Sequence, residues 1–82
     1  MANLRESIKI SSDFSNAICE LGNCYDRINQ LDKAVEHYDM AIEVDPYHAD
    51  AWYNKGQVLM SKGDIKGGNK CINRAINLHL GR

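Results

Sequence analysis

Apolar residues recur along this chain at spacings of three and four, which is the period of an amphipathic α-helix. The clearest apolar stripe runs from Leu31 to Val44 and stops just before Pro46, the only proline. Another stripe precedes it and ends at Asn29, a residue type that tolerates the left-handed backbone of a helix end. The pattern therefore predicts two helices joined by a tight turn.

The same layout returns further along the chain. Two more stripes are marked by Trp52, Gly56, Val58 and Leu59, and then by Ile65, Ile72, Ala75 and Ile76. Gly63 lies between them and should end the earlier helix. The opening segment, from about Ala2 to Ser11, predicts one further helix. We therefore expect an all-α chain of about five helices with short connections.

The layout repeats at an offset of 34 residues. Shifting the chain by this amount places Ala17 on Ala51, Gly22 on Gly56, Ala41 on Ala75, Ile42 on Ile76 and Asn29 on Gly63. The register extends backward, because Ile8 falls on Ile42 and Ile10 on Val44. We predict one domain over 1–82, composed of the second helix of a truncated repeat (1–14), a full repeat (15–48) and a degenerate repeat (49–82).

The stretch from Ser15 to His48 resembles the tetratricopeptide repeat. The resemblance rests on a large residue, a Leu-Gly pair, a tyrosine, two alanines around an aromatic residue and a closing proline, here Ile18, Leu21, Gly22, Tyr25, Ala34, Tyr38, Ala41 and Pro46. The next unit keeps part of this pattern but departs from it at Lys55, Leu59, Gly68 and Leu80. The resemblance implies a right-handed stack of antiparallel helical hairpins, an α-solenoid.

Small residues in this pattern have a packing role. Gly22, Ala34 and Ala41 are expected where two helix backbones approach most closely. Gly67 and Gly68 lie inside the last predicted helix, where each costs about 1 kcal/mol relative to alanine. We expect that helix to fray first.

Composition and charge narrow the possible functions. With 10 basic and 11 acidic residues the 82-residue chain has a formal net charge of -1, which favours neither nucleic acid nor a membrane surface. No apolar stretch is long enough for a membrane span or a signal peptide, so a soluble, cytoplasmic protein is expected. The cysteines and histidines lack metal-ligand spacing, and no nucleophile has a partner at helical spacing. Neither an enzyme, a metal site nor a cofactor is predicted.

The resemblance also implies where a partner would bind. In the family, the first helices of successive hairpins line a concave groove. The matching positions here are Asn16, Cys19, Glu20, Asn23, Asp26, Arg27, Asp50, Tyr53, Asn54, Gln57 and Met60. Acidic residues outnumber the single arginine among them, so we expect a basic or neutral peptide. The alternative is that these residues are exposed to water and bind no partner.

Two hypotheses for function follow. In the first, the chain is a non-catalytic scaffold or adaptor whose groove binds a peptide or partner protein, with Asn23 and Asn54 bonding the peptide backbone. Replacing both asparagines with alanine should then weaken binding without changing helicity. In the second, the chain is structural or self-associating, because its terminal helices expose apolar residues that another copy, or the rest of a longer repeat protein, would cover.

Overall fold

The computed structural model describes the backbone of residues 3–81 and the side chains of residues 13–81. Met1, Ala2 and Arg82, which the predicted repeats include, lie outside the described residues. The described part contains four helices and no strand: α1 (Asn3–Arg27), α2 (Leu31–Val44), α3 (Ala49–Ser61) and α4 (Ile65–His79). α1 packs along α2, α3 packs along α4, and α2 packs against α3, so two helical hairpins lie side by side. The all-α prediction is confirmed.

The number of helices differs from the predicted five because α1 is continuous. The predicted break fell near Ser12, which corresponds to Pro46 at an offset of 34. Serine has the backbone N–H that proline lacks, and neither glycine nor proline occurs between Asn3 and Leu21. Nothing in this segment interrupts the helical hydrogen bonds. Residues 3–14 are therefore the first part of α1 and not a separate helix, while the right-handed stack remains a prediction.

Residues with left-handed backbone end α1 and α3, as the sequence predicted. Asn29 has a φ of 63° and Gly63 a φ of 94°. In both turns the next backbone N–H reaches back to a carbonyl oxygen near the helix end, at 2.8 Å. This is the hydrogen bond of a Schellman turn, which satisfies an otherwise unpaired carbonyl. The two turns are equivalent at an offset of 34 and make the same connection.

The main core lies where α1, α2 and α3 meet. Its buried residues are Ile18, Cys19, Ala34, Tyr38, Ala41, Ala51 and Val58. Tyr38 has the largest fully buried side chain of the described residues. α4 completes the second hairpin with Gly68, Cys71 and Ala75 on its buried face. Most of these residues are small, so the helices pack closely instead of surrounding large side chains.

Glycines allow the closest helix contacts. A Cβ added to Gly22 would lie 2.7 Å from the Tyr38 ring and 3.2 Å from the Ala34 carbonyl oxygen. At the equivalent place in the second hairpin, a Cβ on Gly56 would lie 2.7 Å from the Gly68 carbonyl oxygen. Gly68 occupies the position that Ala34 holds in the first hairpin. This departure from the repeat pattern therefore accompanies a closer contact between α3 and α4.

We predict that Gly68→Ala destabilises the chain although alanine is the better helix former. The new Cβ would lie 2.5 Å from the Met60 side chain and 2.7 Å from the Gly56 carbonyl oxygen. Overpacking costs about 1–3 kcal/mol, whereas the gain in helix propensity is about 1 kcal/mol. Urea unfolding would measure the difference. Asn69→Ala, at an exposed position of α4, is the matched control and should be neutral or stabilising; equal stabilisation by both variants would contradict the close contact.

Candidate functional site

A hydrogen-bonded cluster joins three helices beneath the predicted groove. The hydroxyl of Tyr38, on α2, donates to Oδ1 of Asn23, on α1, at 2.5 Å. Nδ2 of Asn54, on α3, donates to the same oxygen at 3.2 Å and to Sγ of Cys19 at 3.7 Å. The Asn23 side chain therefore satisfies a buried phenol and connects α1 to α3.

This cluster uses only part of each amide. Asn23 and Asn54 are half-buried, and no residue described by the structure bonds the N–H groups of Asn23 or the Oδ1 of Asn54. A side-chain amide has two N–H donors and an oxygen with two lone pairs. Each asparagine therefore has a structural role and still has hydrogen-bonding capacity for another molecule.

Cys19 lies in the core although the sequence analysis placed it in the groove. Its side chain is only 4% exposed, because this side of α1 faces α2 and α3. Burial raises the pKa of the Cys19 thiol, and the hydrogen bond from Asn54 only partly opposes that effect. Burial likewise raises the pKa of the Cys71 thiol. Both thiols are therefore protonated and unreactive at neutral pH.

Most of the other predicted groove residues are exposed. The exposed ones are Asn16, Glu20, Asp26, Arg27, Asp50, Tyr53 and Gln57. The Tyr53 hydroxyl accepts a hydrogen bond from Nε2 of Gln57 at 3.2 Å. Met60 differs, because it is half-buried and its side chain lies against Gly68 of α4. Met60 therefore packs within the second hairpin.

The exposed residues line shallow depressions along α1 and α3. Asn16 of α1 and Asp50 of α3 share one depression with the loop before α3. Glu20, Asn23 and Arg27 line another, further along α1. Asp50 also joins Tyr53 in a third, which reaches the end of α4. The predicted residues that line these depressions are therefore divided among three of them and do not share one deep pocket.

A partly buried Ser15–His48 pair was not predicted. Ser15 Oγ donates to the Ala41 carbonyl oxygen at 2.8 Å and lies 2.8 Å from Nδ1 of His48. Because the serine hydroxyl has only one hydrogen, Nδ1 of His48 must be the donor in the second contact. Ser15 is 0% exposed, so no substrate reaches its hydroxyl. The pair fixes the loop between α2 and α3 to α1. Thirty-three positions separate the two residues, so helical spacing could not reveal it.

Among the residues that the structure describes, no three or more His, Cys, Asp or Glu side chains lie together in a way that could hold a metal ion. None of the helices there has the length and apolar character that a membrane span requires.

The two asparagines should differ in their contribution to stability. Asn23→Ala leaves the buried Tyr38 hydroxyl without its acceptor, which costs about 1–3 kcal/mol. Asn54→Ala preserves that acceptor and should cost about 0.5–1.5 kcal/mol. Urea unfolding would measure the free energy of unfolding of both variants. An equal loss in the two, or a larger loss in Asn54→Ala, would contradict the prediction. The double alanine variant proposed from the sequence would therefore alter stability as well as binding.

Alkaline pH should destabilise the fold through Tyr38. Burial, reinforced by the negative charge of Asp26, raises the pKa of Tyr38 from 10.0 to about 12. Between these values the unfolded chain releases a proton that the folded chain keeps, so the free energy of unfolding falls as pH rises, by up to about 1.4 kcal/mol per pH unit. Below the lower value the group adds no pH dependence. Urea unfolding across this range would measure the slope.

Tyr38→Phe is the control for this pH dependence. The variant lacks the ionisable hydroxyl, whereas the exposed Tyr47 and Tyr53 remain. Its free energy of unfolding should fall less steeply with pH than that of the original chain. Equal slopes would show that Tyr38 ionisation does not contribute.

Comparison with known proteins places these features in a family. Two tetratricopeptide repeat models match residues 15–48 and 37–67. The chain is 34% identical to the uncharacterized protein MJ0572 of Methanocaldococcus jannaschii over 77 residues, which cover 92% of this chain and 85% of that protein.

Two human proteins are also similar. Protein O-mannosyl-transferase TMTC1 of Homo sapiens is 37% identical over 57 residues, or 70% of this chain. Protein O-mannosyl-transferase TMTC3 of Homo sapiens is 34% identical over 76 residues, or 92% of this chain. The matches span only 6% and 8% of those proteins, so their names describe far longer chains. From the family models, the M. jannaschii relative and the repeated hairpin, this chain belongs to the tetratricopeptide repeat family, whose repeats generally mediate protein–protein interaction.

Proposed function

We propose that this chain binds a basic or neutral peptide segment of a partner protein along the exposed side of α1 and α3, without catalysing a reaction. The observation that carries the proposal is the 3.2 Å hydrogen bond from Asn54 to Asn23, which holds the two helices side by side. Asn16 and Asp50 line a depression shared by these helices, which supports a site that spans both. We call this side the α1/α3 surface.

Unused amide groups support backbone recognition on the α1/α3 surface. The N–H groups of Asn23 could donate to a peptide carbonyl, and Oδ1 of Asn54 could accept from a peptide N–H. An extended peptide offers one donor and one acceptor at each residue other than proline. The hydrogen-bonded cluster already fixes the side chains of Asn23 and Asn54. Peptide binding would therefore cost less free energy, because these two side chains do not have to be ordered first.

Charge and an aromatic ring favour a basic peptide. Glu20, Asp26 and Asp50 are exposed on the α1/α3 surface, where Arg27 is the one basic residue among the predicted contacts. Tyr53 is 44% exposed and offers a ring that attracts lysine or arginine side chains. These features favour positively charged or neutral partners over acidic ones.

A second candidate function is self-association. Large apolar side chains are exposed on α1 and immediately after α1 and α4, namely Phe14 at 58%, Ile28 at 65% and Leu80 at 56%. Burying apolar area is the main favourable contribution to association. Leu80 also lines the depression that contains Asp50 and Tyr53, so self-association through the end of α4 would compete with peptide binding there.

Selection from a random peptide display library would test the peptide-binding proposal. Peptides retained on the immobilised chain should be enriched in lysine and arginine over aspartate and glutamate. Charge reversal with Glu20→Lys and Asp50→Lys should weaken retained peptides at least about tenfold, as measured by fluorescence anisotropy.

Glu36→Lys with Glu43→Lys is the matched control. Both glutamates are exposed on α2, and the change in net charge is the same. This variant should bind the selected peptides as the original chain does. Acidic peptides, or equal weakening by both double variants, would reject the assignment of the α1/α3 surface.

A further inference from the structure

The contact between the two hairpins supplies a template for a contact between copies. The second hairpin docks on α2 through Ala51, Lys55 and Val58 of α3 and through Lys62, the residue that follows this helix. We call these four residues the α3 docking face. Ala51 and Val58 are buried in the core. Lys55 pairs with Asp39 of α2 at 2.5 Å, and Lys62 pairs with Asp32 of α2.

The equivalent positions of α1 are uncovered. At an offset of 34 they are Ala17, Leu21 and Cys24, followed by Ile28 in the turn just after the helix. We call these four residues, with Phe14 one turn earlier, the free α1 face. All five are exposed, with Leu21 at 52% and Ile28 at 65%. Their spacing alternates between three and four residues, as in helices that pack along an apolar seam. The chain thus carries a second docking face that is more apolar than the first.

The outer side of α4 is the matching acceptor. On α2, Asp32 and Asp39 pair with the two lysines of the α3 docking face, and Ile42 packs against the buried core. Their equivalents on α4 are Lys66, Asn73 and Ile76. Ile42 is half-buried, whereas Ile76 is 48% exposed. Ile65 at 53% and Leu80 at 56% extend the same side, which we call the outer α4 face.

We propose that the free α1 face of one copy docks on the outer α4 face of another, in the geometry with which α3 docks on α2. The proposal rests on the self-association function and specifies its pairing. Both halves of the contact occur on a single chain, in the register of an interface that the chain already forms. The occupant of each face is therefore a second copy.

The side chains that would meet are compatible. In the register of the internal interface, Leu21 takes the place of Lys55 and faces Asn73, while Ile28 takes the place of Lys62 and faces Lys66. No like charges meet at either place. The aliphatic part of a lysine can cover an apolar neighbour while its ammonium stays in water. In place of the two ion pairs, Leu21 would lie against Asn73 and Ile28 against the aliphatic part of Lys66.

A pairing of unlike faces has a distinctive consequence. Each copy that joins leaves one free α1 face and one outer α4 face at the ends, so assembly does not stop at a dimer unless the contacts close a ring. A symmetric dimer that used one face twice would stop at two copies. The distribution of masses therefore distinguishes the two arrangements.

Two charged variants test the pairing. The first, Leu21→Lys with Ile28→Lys, gives α1 the lysines that α3 carries at the same positions, but the facing α4 residues offer them no carboxylate. The second, Lys66→Asp with Asn73→Asp, gives α4 the aspartates of α2. Each variant alone should weaken association at least about tenfold. Mixing them should restore association, because the unmodified free α1 face of the second variant meets the unmodified outer α4 face of the first. The added lysines and aspartates also allow the two ion pairs of the internal interface.

Sedimentation velocity of the 82-residue chain from about 10 µM to about 1 mM would measure the masses. The original chain should grow beyond a dimer with concentration. Each variant alone should need at least about tenfold higher concentration to reach the same mass, and the mixture should associate. Association of the α4 variant alone, or of the α1 variant alone, as readily as the original chain would overturn the pairing in favour of a symmetric contact. A monomeric mixture would also overturn it.

Controls separate this pairing from self-association in general. Met40→Lys adds a lysine at a 44% exposed apolar position of α2 outside both faces, so association should be unchanged; an equal loss would overturn the proposal. Circular dichroism should show the same helicity in all variants. A monomeric original chain at every concentration would reject self-association itself, whereas oligomers with the wrong variant pattern would reject only the pairing of these faces.

Discussion

The packing of Tyr38 against Gly22 is the contact on which the rest of the structure depends. A buried phenol ring fits between α1 and α2 because Gly22 has no side chain at the contact. Its hydroxyl then needs a partner, since an unsatisfied buried polar group costs about 1–3 kcal/mol, and Asn23 supplies the acceptor. The same oxygen receives Asn54 and so positions α3 beside α1. The α1/α3 surface is therefore a consequence of how one buried tyrosine is satisfied.

Much of the fold could be predicted from the sequence because its signals are local. The apolar stripe of α2 predicted both ends of this helix correctly. Asn29 and Gly63 adopt the left-handed backbone expected at a helix end. The predicted break before Ser15 failed because the repeat pattern suggested a boundary where no residue interrupts the helix. Gly68 departs from the repeat pattern, but in the structure it makes a close contact with Gly56 of α3. The sequence did not reveal this contact, because it depends on how α3 and α4 pack together.

The candidate site was less predictable than the fold. A periodic pattern places a residue on one side of a helix, but burial depends on where neighbouring helices lie. Cys19 and Glu20 are adjacent in the predicted groove, yet the first is buried in the core and the second is exposed. The bond from Asn54 to Asn23 joins residues 31 positions apart, so the sequence could nominate both asparagines without revealing that they bond each other. Long-range packing supplied that information.

The different chemistry of the two docking faces follows from how their partners are connected. A short loop links α2 to α3, so their contact does not have to offset the loss of translational and rotational freedom. An exposed ion pair contributes about 1 kcal/mol or less. The two ion pairs of the α3 docking face are sufficient for a contact within one chain, because the loop already holds the helices together. A contact between separate copies must overcome about 4–15 kcal/mol of lost freedom, which favours apolar burial. Leu21 and Ile28 stand where the α3 docking face has lysines, so the free α1 face suits the proposed contact between copies better than a charged face would.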